Sequence, residues 1–153
     1  MSEPPPKNYY KVAVLIHEGA DILDCTGPMQ VILHVTYNHK SDDPDPVFKV
    51  TTIAQKSIVH TATFLHIEPD ILLPDVLDKI TEYDILIVPG PSLSMIQQLI
   101  KDPDIPELDL IRRYTTSEPS RSRILFSVCT GALLLTAAGI LSGLTATTHH
   151  LAL

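Results

Sequence analysis

The 153 residues predict an α/β protein with a mostly parallel sheet flanked by helices. Three observations carry that prediction. Lys11-Val-Ala-Val-Leu-Ile16 and Ile85-Leu-Ile-Val88 are unbroken apolar runs of strand length, as expected of strands covered on both faces. Apolar runs of this kind alternate with stretches of helical periodicity, the order that builds a layered parallel sheet. A third run, Ile124-Leu-Phe126, passes through Ser127-Val-Cys-Thr-Gly131 straight into the small-residue helical run Ala132–Ala138, so strand, cysteine and helix follow without a linker.

In chain order, residues 1–9 read as a flexible, polar tail stiffened by three prolines. Residues 10–153 read as one domain. Gly19 breaks the first strand. Pro28 suits the first turn of a helix running through Val31, Ile32 and Val35 toward Tyr37. Ser41-Asp-Asp-Pro-Asp-Pro46 is a loop. Phe48–Ala54 and Thr63–Ile67 are strands, with a short one at Ser57–His60 between them, and Leu72–Ile80 is a short helix. Pro89-Gly90-Pro91 ends the Ile85 strand. Two helical stretches, Met95–Ile100 and Glu107–Thr116, lead to the Ile124 strand. Gly139 sits where a C′ glycine stops the following helix, and Ala146-Thr-Thr148 begins a further strand. No internal repeat is visible.

Composition narrows the function. Apolar residues make up 44% and charged residues 19%, a globular balance. The net charge of −7, from 11 basic and 18 acidic side chains, supplies no basic footprint for nucleic acid. The first residues contain no apolar signal core, and Gly131–Leu144, interrupted by two glycines, is too short to span a bilayer. Two cysteines, Cys25 and Cys129, are too few for a disulfide scaffold. A cytoplasmic protein with no membrane partner is expected. There is no GxGxxG, no P-loop and no zinc spacing among the seven histidines, so neither a cofactor nor a metal is expected.

Sites in parallel sheets form beyond the carboxyl ends of the strands. The turn after Ile16, the Pro89-Gly90-Pro91 turn and Cys129 all fall there. Cysteine is often an inert packing residue, but a packing cysteine needs no tight turn with glycine two residues later. A thiol facing a helix N-terminus is biased toward thiolate, with the logic of a nucleophile elbow. Asp24 reads either as a helix-capping acid with Thr26 or as a carboxyl beside the Cys129 sulfur, a donor or general acid; Asp21, nearer the strand, is the weaker choice. His149 is a polar strand end or a Cys–His partner, and His150 on a strand points to the opposite face. A Cys25–Cys129 disulfide is the minor alternative, since bridge geometry is demanding.

Three segments together resemble the ThiJ/PfpI superfamily: Gly19-x4-Asp24-x3-Pro28, Val88-Pro-Gly90, and Val128-Cys-Thr-Gly131 continuing through Ala138-Gly139-x-Leu141-x-Gly143 to Ala146-Thr-Thr-His149. The similarity is greatest to the isonitrile hydratase-like branch. It implies a three-layer flavodoxin-like, class I glutamine amidotransferase-like fold, with Cys129 as elbow nucleophile, Asp24 as the adjacent carboxyl, and Thr130 as a polar neighbour whose N–H stabilises an oxyanion. His149 matches the histidine after the elbow helix, and Gly90, Pro91 and Gly131 line the substrate. In isonitrile hydratases a thiolate attacks the isonitrile carbon, a carboxylic acid protonates the adduct, and water releases an N-substituted formamide. The resemblance also implies a small-molecule substrate and a homodimer.

Two departures accompany it. Gly90-Pro91 replaces the usual Gly-Gly, and proline has no N–H, which removes a donor worth ~2.7–4 kcal/mol in acyl transfer. Relative to the family, the chain reads as lacking C-terminal elements. The alternatives that remain open are a non-catalytic, cysteine-based stress-sensing or binding module, with Cys129 reversibly oxidised, and an inactive truncated member.

Overall fold

The structure, a computed structural model, describes residues 9–40, 42–102, 104–116 and 122–150. Its centre is a five-stranded, all-parallel sheet in the order β5-β2-β1-β6-β7. β1 (Tyr10–Ile16) lies between β2 (Phe48–Ala54) and β6 (Ile85–Val88); β5 (Ile71–Leu72) and β7 (Ile124–Ser127) form the edges. Val12 to Ile16 are buried, and their alternation divides the molecule into layers. Ala13 and Leu15 face one core with Leu86 and Val88, while Val12, Val14 and Ile16 face the other with Ile87.

The first core is covered by α2 (Leu73–Val76), α3 (Leu93–Lys101), α4 (Pro106–Thr116) and α5 (Gly131–Ala137), which bring in Leu73, Met95, Leu108, Ile111 and Leu134. The second is covered by α1 (Ile22–Leu33), through Met29 and Ile32, and by a small antiparallel hairpin, β3 (Val59–His60) with β4 (His66–Ile67). This is the three-layer arrangement that the apolar runs predict. Beyond α1, the second layer does not reach β7: Ile124 and Phe126, in register with Ile85 and Ile87, are 55% and 45% exposed.

The ends of the strands opposite the site are tied by polar groups. The Lys11 N–H donates to an Asp84 carboxylate oxygen at 2.7 Å, and the Tyr114 hydroxyl lies 3.0 Å from the carbonyl oxygens of both Asp84 and Ile124. Burial pushes the Tyr114 phenol up to about 12, so it stays a donor.

Several expected boundaries move. The first helix starts at Ile22, and Pro28 lies inside it rather than in its first turn. The Asp21 side chain, accepting from the Leu23 N–H at 2.9 Å, supplies a start signal stronger than the proline. The strand expected at Thr63–Ile67 shrinks to His66–Ile67, because Phe64 takes a left-handed φ of 65° and turns the hairpin. The Leu72–Ile80 helix is a four-residue α2 followed by a 3-10 turn over Leu77–Glu82. Ala146–Thr148 forms no strand. Most of the 1–9 tail, Ser41 and the last three residues lie outside the described residues.

Because Leu86 is fully buried in the central sheet, Leu86→Ala is expected to cost ~2–5 kcal/mol in urea unfolding. Ile124→Ala, on the bare face of β7, is expected to cost under ~1 kcal/mol.

Candidate active site

Strand order reverses direction between β1 and β6, and the crevice beyond their carboxyl ends is where a sheet of this kind presents a site. Three segments meet there, each placed by a local feature.

The first follows β1. Gly19 adopts a φ of +70°, and its N–H donates to the His60 carbonyl at 2.8 Å, turning the chain into α1. Asp21 takes the cap, so Asp24, in the first turn, is left for another use. Its Oδ2 accepts the Gly90 N–H at 3.2 Å. The capping role considered for Asp24 therefore belongs to Asp21.

The second is the buried Pro89-Gly90-Pro91 turn after β6. A Cβ on Gly90 would collide with the Thr130 hydroxyl and come within 2.9 Å of Asp24 Oδ2, so this residue must be glycine for the carboxylate and Thr130 to close on it. The Pro91 carbonyl accepts from the Thr130 hydroxyl at 3.1 Å. Neither residue of the turn has an N–H to spare: that of Gly90 is engaged by Asp24, and Pro91 has none.

The third is the elbow. The Val128 N–H donates to the Val88 carbonyl at 3.0 Å, and the Gly131 N–H returns to the Val128 carbonyl at 2.8 Å. Between them Cys129 is held at a φ of +54°, a conformation costing a non-glycine residue ~1–3 kcal/mol and concentrated at functional sites. Gly131 is required because a Cβ would run into the Val88 carbonyl. The Cys129 thiol is exposed and has no hydrogen-bond partner among the described residues. Asp24, Gly90, Pro91, Thr130, Gly131 and Cys129 thus converge, with Asp24 bonded to the turn beside the elbow rather than to the sulfur.

His149 is not brought in the same way. Its segment lacks strand pairing, so the alternation expected of it does not apply: the rings of His149 and His150 lie side by side, centroids 4.4 Å apart, instead of on opposite faces. The segment is tethered one residue earlier, where the Thr148 hydroxyl donates to the Cys129 carbonyl at 3.2 Å. Cys25 is buried on α1 and forms no disulfide. Burial, with the Asp24 and Asp21 charges, pushes its thiol up to about 12. Among the described residues no group of three metal-ligating side chains occurs, and no helix is long and apolar enough to cross a membrane.

One residue at this end was not singled out from the sequence. His17, 1% exposed, lies with Nε2 3.2 Å from the Pro89 carbonyl and Nδ1 3.3 Å from the Glu18 carbonyl. Burial pushes its pKa below 6.5 although both carbonyls and the nearby acids oppose this, so the ring is neutral and donates to one carbonyl only. Its signal was its place directly after a buried strand.

Comparison with known proteins bears on the family and the fold. The DJ-1/PfpI family model matches residues 10–152. An isonitrile hydratase of Pseudomonas putida is 30% identical over 140 residues, which cover 91% of this chain and 52% of that protein. The chain thus spans about half the length of this relative. Among solved structures, a ThiJ/PfpI family protein from Pseudomonas syringae superposes with a TM-score of 0.65 at 23% identity, covering 94% of this chain and 51% of the other. Drosophila melanogaster DJ-1beta gives 0.65 at 17% identity, covering 87% and 62%. At these identities the two structures establish the fold.

Two outcomes follow from the site. Iodoacetamide at neutral pH is expected to label Cys129 in the folded protein and Cys25 only after denaturation, as read by peptide mass. Acid is expected to lower stability partly through His17: below about 6.5 the unfolded ring takes up a proton that the folded ring refuses, so unfolding gains as pH falls. His17→Gln should flatten that part of the stability–pH curve between pH 7 and 5 in urea titrations.

Proposed function

The chain belongs to the DJ-1/PfpI family, and from that premise we propose that Cys129 is its nucleophile and that the reaction is hydration of a small isonitrile-type electrophile. The observation that carries this reading is the exposed Cys129 held at positive φ between strand and helix, beside the Asp24–Gly90–Thr130 cluster. The relative named isonitrile hydratase supports the substrate class. The missing second donor of the turn supports it too. Acyl transfer builds charge on a carbonyl oxygen and needs such donors, whereas addition to an isonitrile forms no carbonyl oxyanion.

In this reaction the Cys129 thiolate bonds to the terminal carbon of R–N≡C. Asp24, in its acid form, delivers a proton to that carbon, leaving a thioimidate. Water then adds to the C=N carbon, one of its protons passing to nitrogen; as the C–S bond breaks, the remaining hydroxyl proton returns to the Asp24 carboxylate and the oxygen becomes the formyl C=O. The products are R–NH–CHO and the free thiolate, with one water consumed. The Gly90 N–H orients the Asp24 carboxyl, and the Thr130 N–H, which has no acceptor among the described residues, is the donor left to meet developing charge. His149 is assigned a lesser part, as the neighbour of Thr148, whose hydroxyl meets the Cys129 carbonyl. The setting that goes with this reading is a reducing cytoplasm and a homodimer.

The exposure of Cys129, with no partner on its sulfur among the described residues, supports a second reading: oxidation by a peroxide, reversibly to a sulfenic acid or further to a sulfinic acid, in a non-catalytic sensor. The experiment that separates the two is turnover of an aryl isonitrile followed by formamide release. Cys129→Ala is expected to drop it to background, and Asp24→Asn to slow it by ~10²–10⁴-fold. Absence of turnover in the wild type, with peroxide adding oxygen to Cys129 ahead of Cys25, would transfer the assignment to sensing; turnover surviving in Cys129→Ala would remove the nucleophile altogether.

A further inference from the structure

A second cavity, of about 470 Å³, opens at the same end of the sheet but is lined by none of Cys129, Asp24, Gly90 or Thr130. It lies between the end of β1, the loop after β2, and helices α3 and α4. Its size is that of a small-molecule site. Its lining carries donors in Gln55, Lys56, His60, Ser94 and Gln98, yet among the described residues none of them meets the carboxylate of Glu107.

Glu107, in the first turn of α4, lines the cavity and is 8% exposed. Its carboxylate has no hydrogen bond and no ion pair among the described residues. A largely buried carboxylate without a side-chain partner is costly, and its charge is felt at the neighbouring His17 ring. Glu18, on the facing wall, has a buried Oε1 without a hydrogen bond. Lys56 and His60 stand 3.4 and 3.6 Å from it, ion-pair distances beyond the usual hydrogen-bond range. Val59, Met95 and Ile105, all buried, complete an apolar lining between the two acids. The exposed Gln98 lies at the mouth.

We propose that this cavity binds a small aliphatic primary amine in its ammonium form, with the –NH₃⁺ group on Glu107 and the hydrocarbon chain against Val59, Met95 and Ile105. An ammonium brings three donors and no acceptor, which suits the Glu107 carboxylate; Glu18 is already paired with Lys56 and His60. Hydrogen bonds to an ionised carboxylate are stronger than those between neutral groups, so the carboxylate dominates recognition. A divalent cation fits less well, since no three ligating side chains converge among the described residues. The site is separate from the proposed chemistry at Cys129 and does not depend on it. His17, which lines this cavity and contacts the Pro89 carbonyl, forms the wall between the two.

The test uses n-butylammonium chloride and n-butanol, equal in chain length and different in charge, titrated into the full chain by calorimetry and thermal shift. Saturable binding of butylammonium, with butanol binding at least tenfold more weakly, is expected. Glu107→Gln should weaken butylammonium by about tenfold or more, equivalent to ~1.4 kcal/mol. Gln98→Trp, a change at the exposed mouth, should block the cavity in a protein that stays folded; it carries the test if Glu107→Gln does not fold. In both variants the iodoacetamide rate at Cys129 should match wild type, which separates this site from the elbow. Equal binding of butanol and butylammonium, no saturable response to either, or binding that persists in Gln98→Trp overturns the proposal.

Discussion

The carbonyl of Val88 is the point on which the site depends. It receives the Val128 N–H at 3.0 Å, and the bare Cα of Gly131 rests against it. No side chain can enter that contact, so β7 and α5 are pulled onto the end of β6. The chain between them must turn within three residues, and Cys129 takes the left-handed conformation as the result. The next residues of β6, Pro89-Gly90-Pro91, are thereby set under Thr130. One close backbone approach fixes the elbow, the turn and their separation together.

Around it, polar groups are used economically. Asp21 caps α1, which releases Asp24, three residues on, to accept the Gly90 N–H. Thr130 spends its hydroxyl on the Pro91 carbonyl, and Thr148 spends its own on the Cys129 carbonyl. Each bond satisfies a backbone group that the tight turns would otherwise leave without a partner in the chain. The sulfur is the group left without a commitment, and the exposure of the elbow follows from that. Cys25 is the converse: next to Asp24 and one helix turn from Asp21, but on the buried face of α1, where burial keeps its proton.

The same end of the sheet holds two neighbouring hollows with different electrostatics. At the elbow, an exposed thiol stands beside the Asp24–Gly90–Thr130 cluster. In the cavity beyond His17, the carboxylate of Glu107 has no partner among the described residues, while that of Glu18 pairs with Lys56 and His60. A buried imidazole that stays neutral keeps the two hollows apart without adding a charge to either.

The sequence by itself determined the layers. Uninterrupted apolar runs at Val12–Ile16 and Ile85–Val88 could be satisfied only by strands covered on both faces, and the glycines at 19, 131 and 139 marked real turns or a close approach. It also placed Cys129 on its elbow, because strand, cysteine and helix follow one another within a few residues. Tertiary structure decided what depends on groups distant along the chain. Asp24 lies 66 residues from Gly90, and nothing local reveals that its carboxylate closes on that amide rather than capping α1. The Ala146–Thr148 strand failed for the same reason: a strand exists only where a neighbour supplies its hydrogen bonds, and here none does. His17 and Glu107 were silent in the sequence because a lone histidine after a strand and an acid at a helix start are ordinary there. Only burial against each other's elements makes one neutral and leaves the other without a partner.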